Sequence, residues 1–596
     1  MPEIKASDEI RLDFQDTPKG HPKGLYVLFA TEMWERFNYY GMRAILILFM
    51  TKALLFDKVF ASNLYGSYTS LVYLTPLLGG YISDRYWGNN RSIIVGGLIM
   101  AIGEFLLFFC GSLYNSSESL STLLFFSGLG FMITGNGFFK PNISSLVGQL
   151  YPKGDRRIDP AYTIFYMGVN VGGALGPLVC GLVGETGNPA DFKWAFLAGG
   201  IAMLISVVVQ KVYQNKYVRD PQGRPIGVTP TQQTVVKNNE TTAPGSTSSV
   251  WLNPVAMILG LLVLAGIAIG SLYVDAKIFG FLTYLLIAAT IFIAFILFSD
   301  KSLTKFEKER IGVIFIVAFF VIFFWSAFEQ AGASLTFFAD EQTNRSLNYT
   351  LPAYVVYIAA FALVLYLISL WRKAVKNLRA NDQSLLIGVQ IILFLAIVGT
   401  LYFVAPIILD GRKGIFLKEV PASLFQSLNS LFVVGFAPVF AWMWLKLGRR
   451  EPSAPTKMAL GLLLLSLGYL WIAFGVKGVG VGSKVSMIWL VGMYALHTWG
   501  ELSLSPIGLS LVNKLAPFKF ASLLMAVWFL ANAAANKLAG VLSALYPDGR
   551  TTTFLGYEMN NNYDFFLLFV FMAGIASLIL FGLSKQLQKM MHTDKN

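Results

Sequence analysis

Apolar runs of about 20 residues, separated by short polar stretches, recur along most of the chain. Each is long enough for a helix to cross the roughly 30 Å hydrocarbon core of a bilayer. The runs are continuous and rich in Leu, Ile and Phe, whereas a porin-like barrel would show short alternating segments with a polar lumen face. Six come first, at about 25–51, 64–82, 92–112, 121–141, 160–183 and 193–212. Two follow at about 252–273 and 278–299, one at about 311–336, and a pair at about 352–371 and 384–409. Five more occupy about 422–446, 457–476, 485–511, 520–542 and 562–583. The predicted fold class is therefore an all-α polytopic membrane protein with about 16 transmembrane helices. Hydropathy divides it into two six-helix halves, 25–212 and 311–583, with a linker and helical pair in 213–310 and a second pair inserted at about 352–409. No strong sequence repeat relates the halves.

The charged residues between the runs orient the chain. Basic turns such as "SDRYWGNNR" (83–91), "YPKGDRR" (151–157), "KSLTKFEKER" (301–310) and "RKAVKNLRAND" (372–382) fall on one side, together with the segment after Gln210. The opposite turns near 52–62, 113–120 and 184–192 hold few Lys or Arg. The positive-inside rule makes the basic side cytoplasmic, with both the 1–24 segment and the 584–596 tail there. Residues 1–24 are polar and carry no secretory signal. Residues 214–250, rich in Pro, Gly and Thr, read as a linker. The expected location is the cell inner membrane or plasma membrane, as a multi-pass protein.

Composition narrows the function. Of 596 residues, 55% are hydrophobic and 13% charged, against about 25% charged in ordinary soluble domains. The net charge of +13 sits mostly between spans, where anchoring explains it better than nucleic acid. Cys110 and Cys180 lie at the ends of apolar runs and read as buried small hydrophobes rather than a disulfide scaffold. His21, His497 and His592 are dispersed, so a metal site is not expected. No catalytic residues or organic cofactor are expected.

Charges inside the spans carry the functional signal. In "ATEMWERFNYYGMR" (30–43), Glu32, Glu35, Arg36, Tyr39, Tyr40 and Arg43 fall within an arc of roughly 140° on one helix. Ionised groups facing lipid are expensive, so this face should turn to a cavity or partner helices. Compensation within the helix, Glu32 with Arg36, is the plainer alternative. Lys140, Glu329 and Glu501 also sit in apolar contexts. Pairing only in some conformations, they would couple protonation to movement; pairing permanently, they would simply lock helices. Tyr39, Tyr40, Tyr73, Asn170 and Asn429 supply polar recognition groups, with Trp325 and Trp528 as apolar walls, a set suited to a zwitterion. On the residues alone, Arg43 or Lys140 would meet a carboxylate and Glu329 an ammonium. Glu104, His497 and Lys537 are left as groups that hydrogen-bond within the bundle. The glycines of "GGALG" (172–176) permit close helix approach, and Pro177 marks a bend. The loop "GGYISDRYWGNNR" (79–91) offers a conformational latch of Asp84, Arg85 and Arg91, or merely a turn that enforces topology.

These residues resemble the proton-dependent oligopeptide transporter family of the major facilitator superfamily over nearly the whole chain. The "ExxERFxYYGMR" motif is Glu32 to Arg43, "GGxxxDRxxG" is Gly79 to Gly88, and "FYxxxNxG" is Phe165, Tyr166, Asn170 and Gly172. Lys140 with Pro141, Trp325 with Glu329, Phe425 to Asn429, Glu501 and Trp528 match as well. The resemblance implies proton-driven symport of dipeptides and tripeptides by alternating access, with protons as the coupling ion. Glu32, Glu35, Arg36, Lys140 and Glu329 would then serve proton coupling and gating. Arg43 and Lys140 would meet the peptide carboxyl end, and Glu501 with Asn170 and Asn429 the amino end, which moves the ammonium partner from Glu329 to Glu501. Tyr39, Tyr40, Tyr73, Trp325 and Trp528 would line the pocket.

Two departures stand out. Bacterial members typically have fourteen spans, and the pair at 352–409 is additional. The histidine of animal members, seven positions before the second-helix tyrosine, is replaced by Gly66 ahead of Tyr73. Transport of nitrate or another small solute is the nearest alternative, and the acidic residues argue against it. A non-transporting receptor or scaffold would explain the bundle but not carboxylates spread over separate spans. Membrane lipids are the other expected partners; no protein partner or oligomeric state follows from the sequence.

Overall fold

The computed structural model describes residues 20–152, 154–229, 254–278, 280–377, 383–409, 414–480 and 482–592. Most of the expected amino-terminal segment, the linker from residue 230, the turn at 378–382 and the last four residues lie outside the described residues.

Sixteen long helices form among the described residues, one for each expected span. They are α1 (Lys23–Lys52), α2 (Lys58–Ile82), α3 (Asn89–Leu113), α4 (Glu118–Gln149), α5 (Ile158–Gly184) and α6 (Phe192–Tyr217); then α7 (Pro254–Lys277), α8 (Phe281–Ser299) and α9 (Lys305–Phe328); then α10 (Ala353–Asn377) and α11 (Gln383–Leu409); and finally α12 (Gln426–Leu447), α13 (Ala454–Val476), α14 (Met487–Leu515), α15 (Ala521–Ser543) and α16 (Asn562–Met591). Local polar residues fix several starts. The Asp57 carboxylate accepts from Phe60 N–H at 3.0 Å, and Thr304 with Glu307 forms a capping box. Thirteen membrane-length segments among the described residues are apolar enough to span a bilayer by length and composition; α1, with its six charged residues, is not one of them.

Two helices run differently from their apolar patterns. The run at 121–141 ends at Pro141, yet α4 continues to Gln149, with the Asn142 and Ser145 side chains bonded to backbone carbonyls of the same helix. The span expected at 311–336 breaks at Glu329–Gly332 into a 3₁₀ turn and resumes as a short helix, Ser334–Glu341. That break puts Glu329 at a helix end rather than inside one.

Within α1–α6, α1 packs against α5 and α6, α3 against α4 and α6, and α2 against α4. Within α9 and α12–α16, α13 packs against α14 and α16, and α9 against α15 and α16. The two groups meet where α2 crosses α15 and α5 lies along α12. Helices α7 and α8 pack on α2, α4 and α15, touching both groups. The additional pair behaves otherwise. It leaves the second group through an antiparallel stalk, Ser346–Pro352 against Gly414–Glu419, yet α10 and α11 pack against α6 of the first. Trp34 meets Tyr366 and Trp194 meets Tyr402 there, with ring centroids 6.3 and 5.7 Å apart.

The groups are tied together on the face where α1 ends. Lys52 pairs with Asp340 at 2.7 Å, and Lys58 with Glu341 at 2.6 Å and Asp548 at 2.9 Å. Glu185, just past α5, pairs with Arg345 at 3.3 Å and accepts from Ala422 N–H at 2.5 Å and Ser423 N–H at 3.0 Å. Burial pushes the Glu185 carboxyl above its usual range, while the Ser423 and Ala422 N–H groups and the Arg345 charge act the other way. Where α2 crosses α15, a side chain at Gly66 would meet the Gly540 backbone, and the Ser62 and Ser543 hydroxyls lie 3.0 Å apart. Among the described residues no ion pair joins the two groups on the opposite face. The ion pairs and close helix contact that join the two groups are thus gathered at one end.

This closure is testable at the crossing. In a Ser62→Cys/Ser543→Cys variant, a mild oxidant should form the interhelical disulfide and stop solute uptake into liposomes, with reductant restoring it. A crosslinked protein that transports at the uncrosslinked rate would show that the crossing never opens.

Candidate functional site

The polar face of α1 is buried as its charges demand. Arg36 Nε lies 3.1 Å from Glu32 Oε1 and 2.5 Å from Glu35 Oε2, and Asn136 of α4 donates to Glu35 at 3.4 Å. The guanidinium also lies over the Tyr39 ring, 5.4 Å from its centroid. Glu32, Glu35 and Arg36 thus form one compensated cluster, each at most 3% exposed. Two turns along, Arg43 receives a different partner. Its Nη2 is 2.6 Å from Glu329 Oε2 and its Nε donates to the Tyr65 hydroxyl at 2.8 Å. Glu329, on the 3₁₀ turn after α9, and Arg43 therefore link the two helix groups beneath the closed end.

Two adjoining cavities lie beside this pair. The smaller, about 90 Å³, is bounded by Tyr40, Arg43, Glu329, Asn429 and Glu501. The larger, about 270 Å³, is bounded by Lys140, Trp528 and Asn532. Tyr73 and Trp325 line both. Glu501 accepts from Asn429 Nδ2 at 2.8 Å and from the Tyr166 hydroxyl at 3.3 Å. Lys140 stands apart from the carboxylates. Its ammonium lies over the Tyr73 ring at 4.4 Å and makes no ion pair with a described carboxylate. An anionic group, a cationic group and aromatic walls therefore face one space, a layout that can hold a zwitterion by both ends.

Other expected residues lie elsewhere. Tyr39 packs edge-on against Tyr40 under Arg36 and lines neither cavity. The Asn170 amide donates to Tyr166 O of its own helix at 2.9 Å. The loop residues Asp84 and Arg85 are exposed, with Arg85 bonded to Tyr81 at 3.2 Å, and no ion pair joins Asp84, Arg85 and Arg91. The interhelical bonds of that region use the neighbouring asparagines. Asn89 donates to Asn142 at 3.1 Å and to Ser145 at 2.7 Å, while Asn90 bonds Gln210 and Ile226 O.

The sequence also offered no partner for Lys537. It forms a buried ion pair with Asp275 at the end of α7, and Ser67 of α2 bonds to both. Asp275 also accepts from Leu282 N–H at 2.9 Å, holding the α7–α8 turn. The missed signal was Asp275 itself, a lone acid at the end of an apolar run. Of the remaining groups, Glu104 accepts from Asn38 at 2.8 Å and His497 packs on Tyr469 at 4.7 Å.

The described helices thus form a polytopic bundle in which buried charges join two helix groups around a central space, the layout of a solute carrier. A family model described as the POT family matches residues 90–408 and 398–564. The chain is 31% identical to an uncharacterized transporter, YclF, of Bacillus subtilis, over 90% of each protein. It is 30% identical to the peptide transporter YePEPT of Yersinia enterocolitica, over 88% of each. A crystal structure of a peptide transporter POT mutant in complex with alafosfalin is 28% identical and superposes with a TM-score of 0.69, covering 97% of both chains. The chain belongs to the POT family, proton-dependent oligopeptide transporters of the major facilitator superfamily and secondary active carriers.

Breaking one side of the Asp275–Lys537 pair leaves an uncompensated buried charge, which costs about 3–5 kcal/mol. Asp275→Asn or Lys537→Gln alone should therefore lower the thermal midpoint in detergent markedly, and the double variant should recover most of the loss. A double variant as unstable as the sum of the singles would mean the two groups are not coupled.

Proposed function

We propose that the chain carries dipeptides and tripeptides inward with protons, the peptide lying across the two central cavities. The observation that carries this is the opposed pair of charge environments there: Glu501 held by Asn429, and Lys140 without a carboxylate partner among the described residues. The peptide ammonium meets Glu501, with Asn429 assisting, and Asn170 joins them only in a conformation other than this one, since here its amide bonds to Tyr166 O. Its carboxylate meets Lys140, and Arg43 once that residue leaves Glu329. Tyr39, Tyr40, Tyr73, Trp325 and Trp528 form or support the walls. The larger cavity lies just below the roughly 300–1,000 Å³ of drug-sized ligand sites, which favours one short peptide.

Proton coupling belongs to Glu32, Glu35, Arg36, Lys140 and Glu329. In the observed pairing, neutralising a carboxylate beside Arg36 weakens its hold on the guanidinium and lets the charge seek another partner. Glu32 Oε2, buried and without a hydrogen-bond partner among the described residues, is a ready position for that proton. Likewise, a proton on Glu329 frees Arg43 and loosens the closed end. Helices α1–α6 form one half, α9 and α12–α16 the other, with both termini and the open end facing the cytoplasm. Asp84, Arg85 and Arg91 would act as a latch only in a conformation other than this one, since here they are apart.

Purified protein in liposomes should accumulate dialanine when a proton gradient is directed inward, and accumulation that ignores the gradient would defeat the coupling. Glu32→Gln should lose gradient-driven accumulation while keeping some peptide exchange; unchanged accumulation would remove Glu32 from the coupling set. A hydrogen bond to a charged group contributes about 1.5–3 kcal/mol. Glu501→Gln should thus weaken dialanine binding on the order of 10- to 100-fold, measured by competition, with much less effect on N-acetyl-dialanine. Equal weakening of both peptides would place Glu501 away from the amino end.

A further inference from the structure

A further cavity of about 500 Å³ lies outside the central site, where the start of α1 and the ends of α6 and α10 meet at one level. Four lysines face it: Lys23 from α1, Lys216 from α6, and Lys373 and Lys376 from α10. No Asp or Glu is among its lining residues, and none of the four lysines pairs with a described carboxylate. Their neighbours are instead neutral and electron-rich. Lys23 and Lys216 lie 5.9 and 5.3 Å from the Tyr217 ring, Lys373 lies 6.0 Å from the Tyr213 ring, and Lys216 Nζ reaches Asn377 Oδ1 at 3.5 Å. The inner wall is apolar, formed by Val27, Ala30 and Val209.

Four cations in one concavity repel one another unless an anion joins them. The location selects the anion. The cavity opens at the end of three membrane-spanning helices, with charge at its rim and an apolar wall running toward the bilayer interior, which is the polarity profile of a phospholipid. Basic pockets between transmembrane helices on the cytoplasmic side suit anionic headgroups in this way. Peptide substrate fits poorly, because no acidic group among the described lining residues can receive an ammonium.

We propose that this cavity binds the phosphodiester headgroup of an anionic phospholipid, clamped between the first helix group and the inserted helix α10. Two of the four lysines come from the insertion, so the lipid acts as a bridge that holds α10 against α1 and α6. The insertion thereby gains a role independent of peptide recognition, and the site stands whether or not the carried solute is a peptide.

The test uses the full chain reconstituted in an equal mixture of phosphatidylglycerol and phosphatidylcholine, then released for native mass spectrometry. Phosphatidylglycerol should be retained over phosphatidylcholine. With each surface lysine contributing about 1 kcal/mol toward an anionic lipid, Lys373→Gln/Lys376→Gln should weaken that retention on the order of 30-fold. Lys373→Arg/Lys376→Arg should keep it, which separates lost charge from misfolding. Adding millimolar inorganic phosphate identifies the source of the anion: failure to displace the lipid supports the headgroup, whereas displacement with the same lysine dependence overturns the lipid in favour of a soluble phosphate. Equal retention of both lipids, or a glutamine variant that retains phosphatidylglycerol like the parent, overturns the site altogether.

Discussion

A charge taken into a lipid-surrounded bundle must be answered by an opposite charge, a hydrogen bond or an aromatic face, and the arrangement of those answers organises this structure. Arg36 is answered within its own helix by Glu32 and Glu35. Arg43, two turns further, is answered across the molecule by Glu329. The difference matters because a local pair can persist through any relative motion of the helix groups, whereas a pair between groups must break when they part. One helix therefore carries both a charge cluster closed within itself and a charge paired across the two groups.

That distinction extends to the packing. The closed end combines ion pairs at Lys52, Lys58 and Glu185 with a glycine crossing between α2 and α15. At Gly66 the space a side chain would occupy is filled by the Gly540 backbone. A histidine could not stand there without separating the two helices, so the departure from animal members at this position has a steric as well as a titration consequence. The buried carboxylates near this helix include the Glu32 oxygen Oε2, which has no hydrogen-bond partner among the described residues.

Much of the helix inventory was legible because membrane spans announce themselves by length and apolarity: all sixteen long helices coincide with apolar runs. The arc of charges on α1 was equally readable from helical spacing, including the Glu32–Arg36 contact. What spacing could not reveal was partnership between distant segments. Lys537 and Asp275 are 262 positions apart, and neither has a local pattern that names the other. Nor could the motif around Asp84 show that Asn89 and Asn90, neutral residues without a charge signal, make the interhelical bonds. The extension of α4 past Pro141 was hidden for a simpler reason, since hydropathy follows the bilayer and helical hydrogen bonding does not stop at its edge.

The two supplementary hairpins obey different mechanical constraints despite similar composition. The α7–α8 pair touches α2 and α15, and its Asp275 is paired with Lys537 and bonded to Ser67, so it spans the crossing of those two helices. It cannot remain attached to both helices if they separate. The α10–α11 pair is threaded out of the second group through its stalk but packed on α6 of the first. Any rotation of the groups must be absorbed by the stalk or by sliding over α6. The stalk is short and two-stranded, and its register shifts between Ser346 and Tyr349, an irregularity of the kind that lets a ribbon bend. The first hairpin thus bonds to both sides of one crossing, and the second packs on one group while its stalk leads from the other.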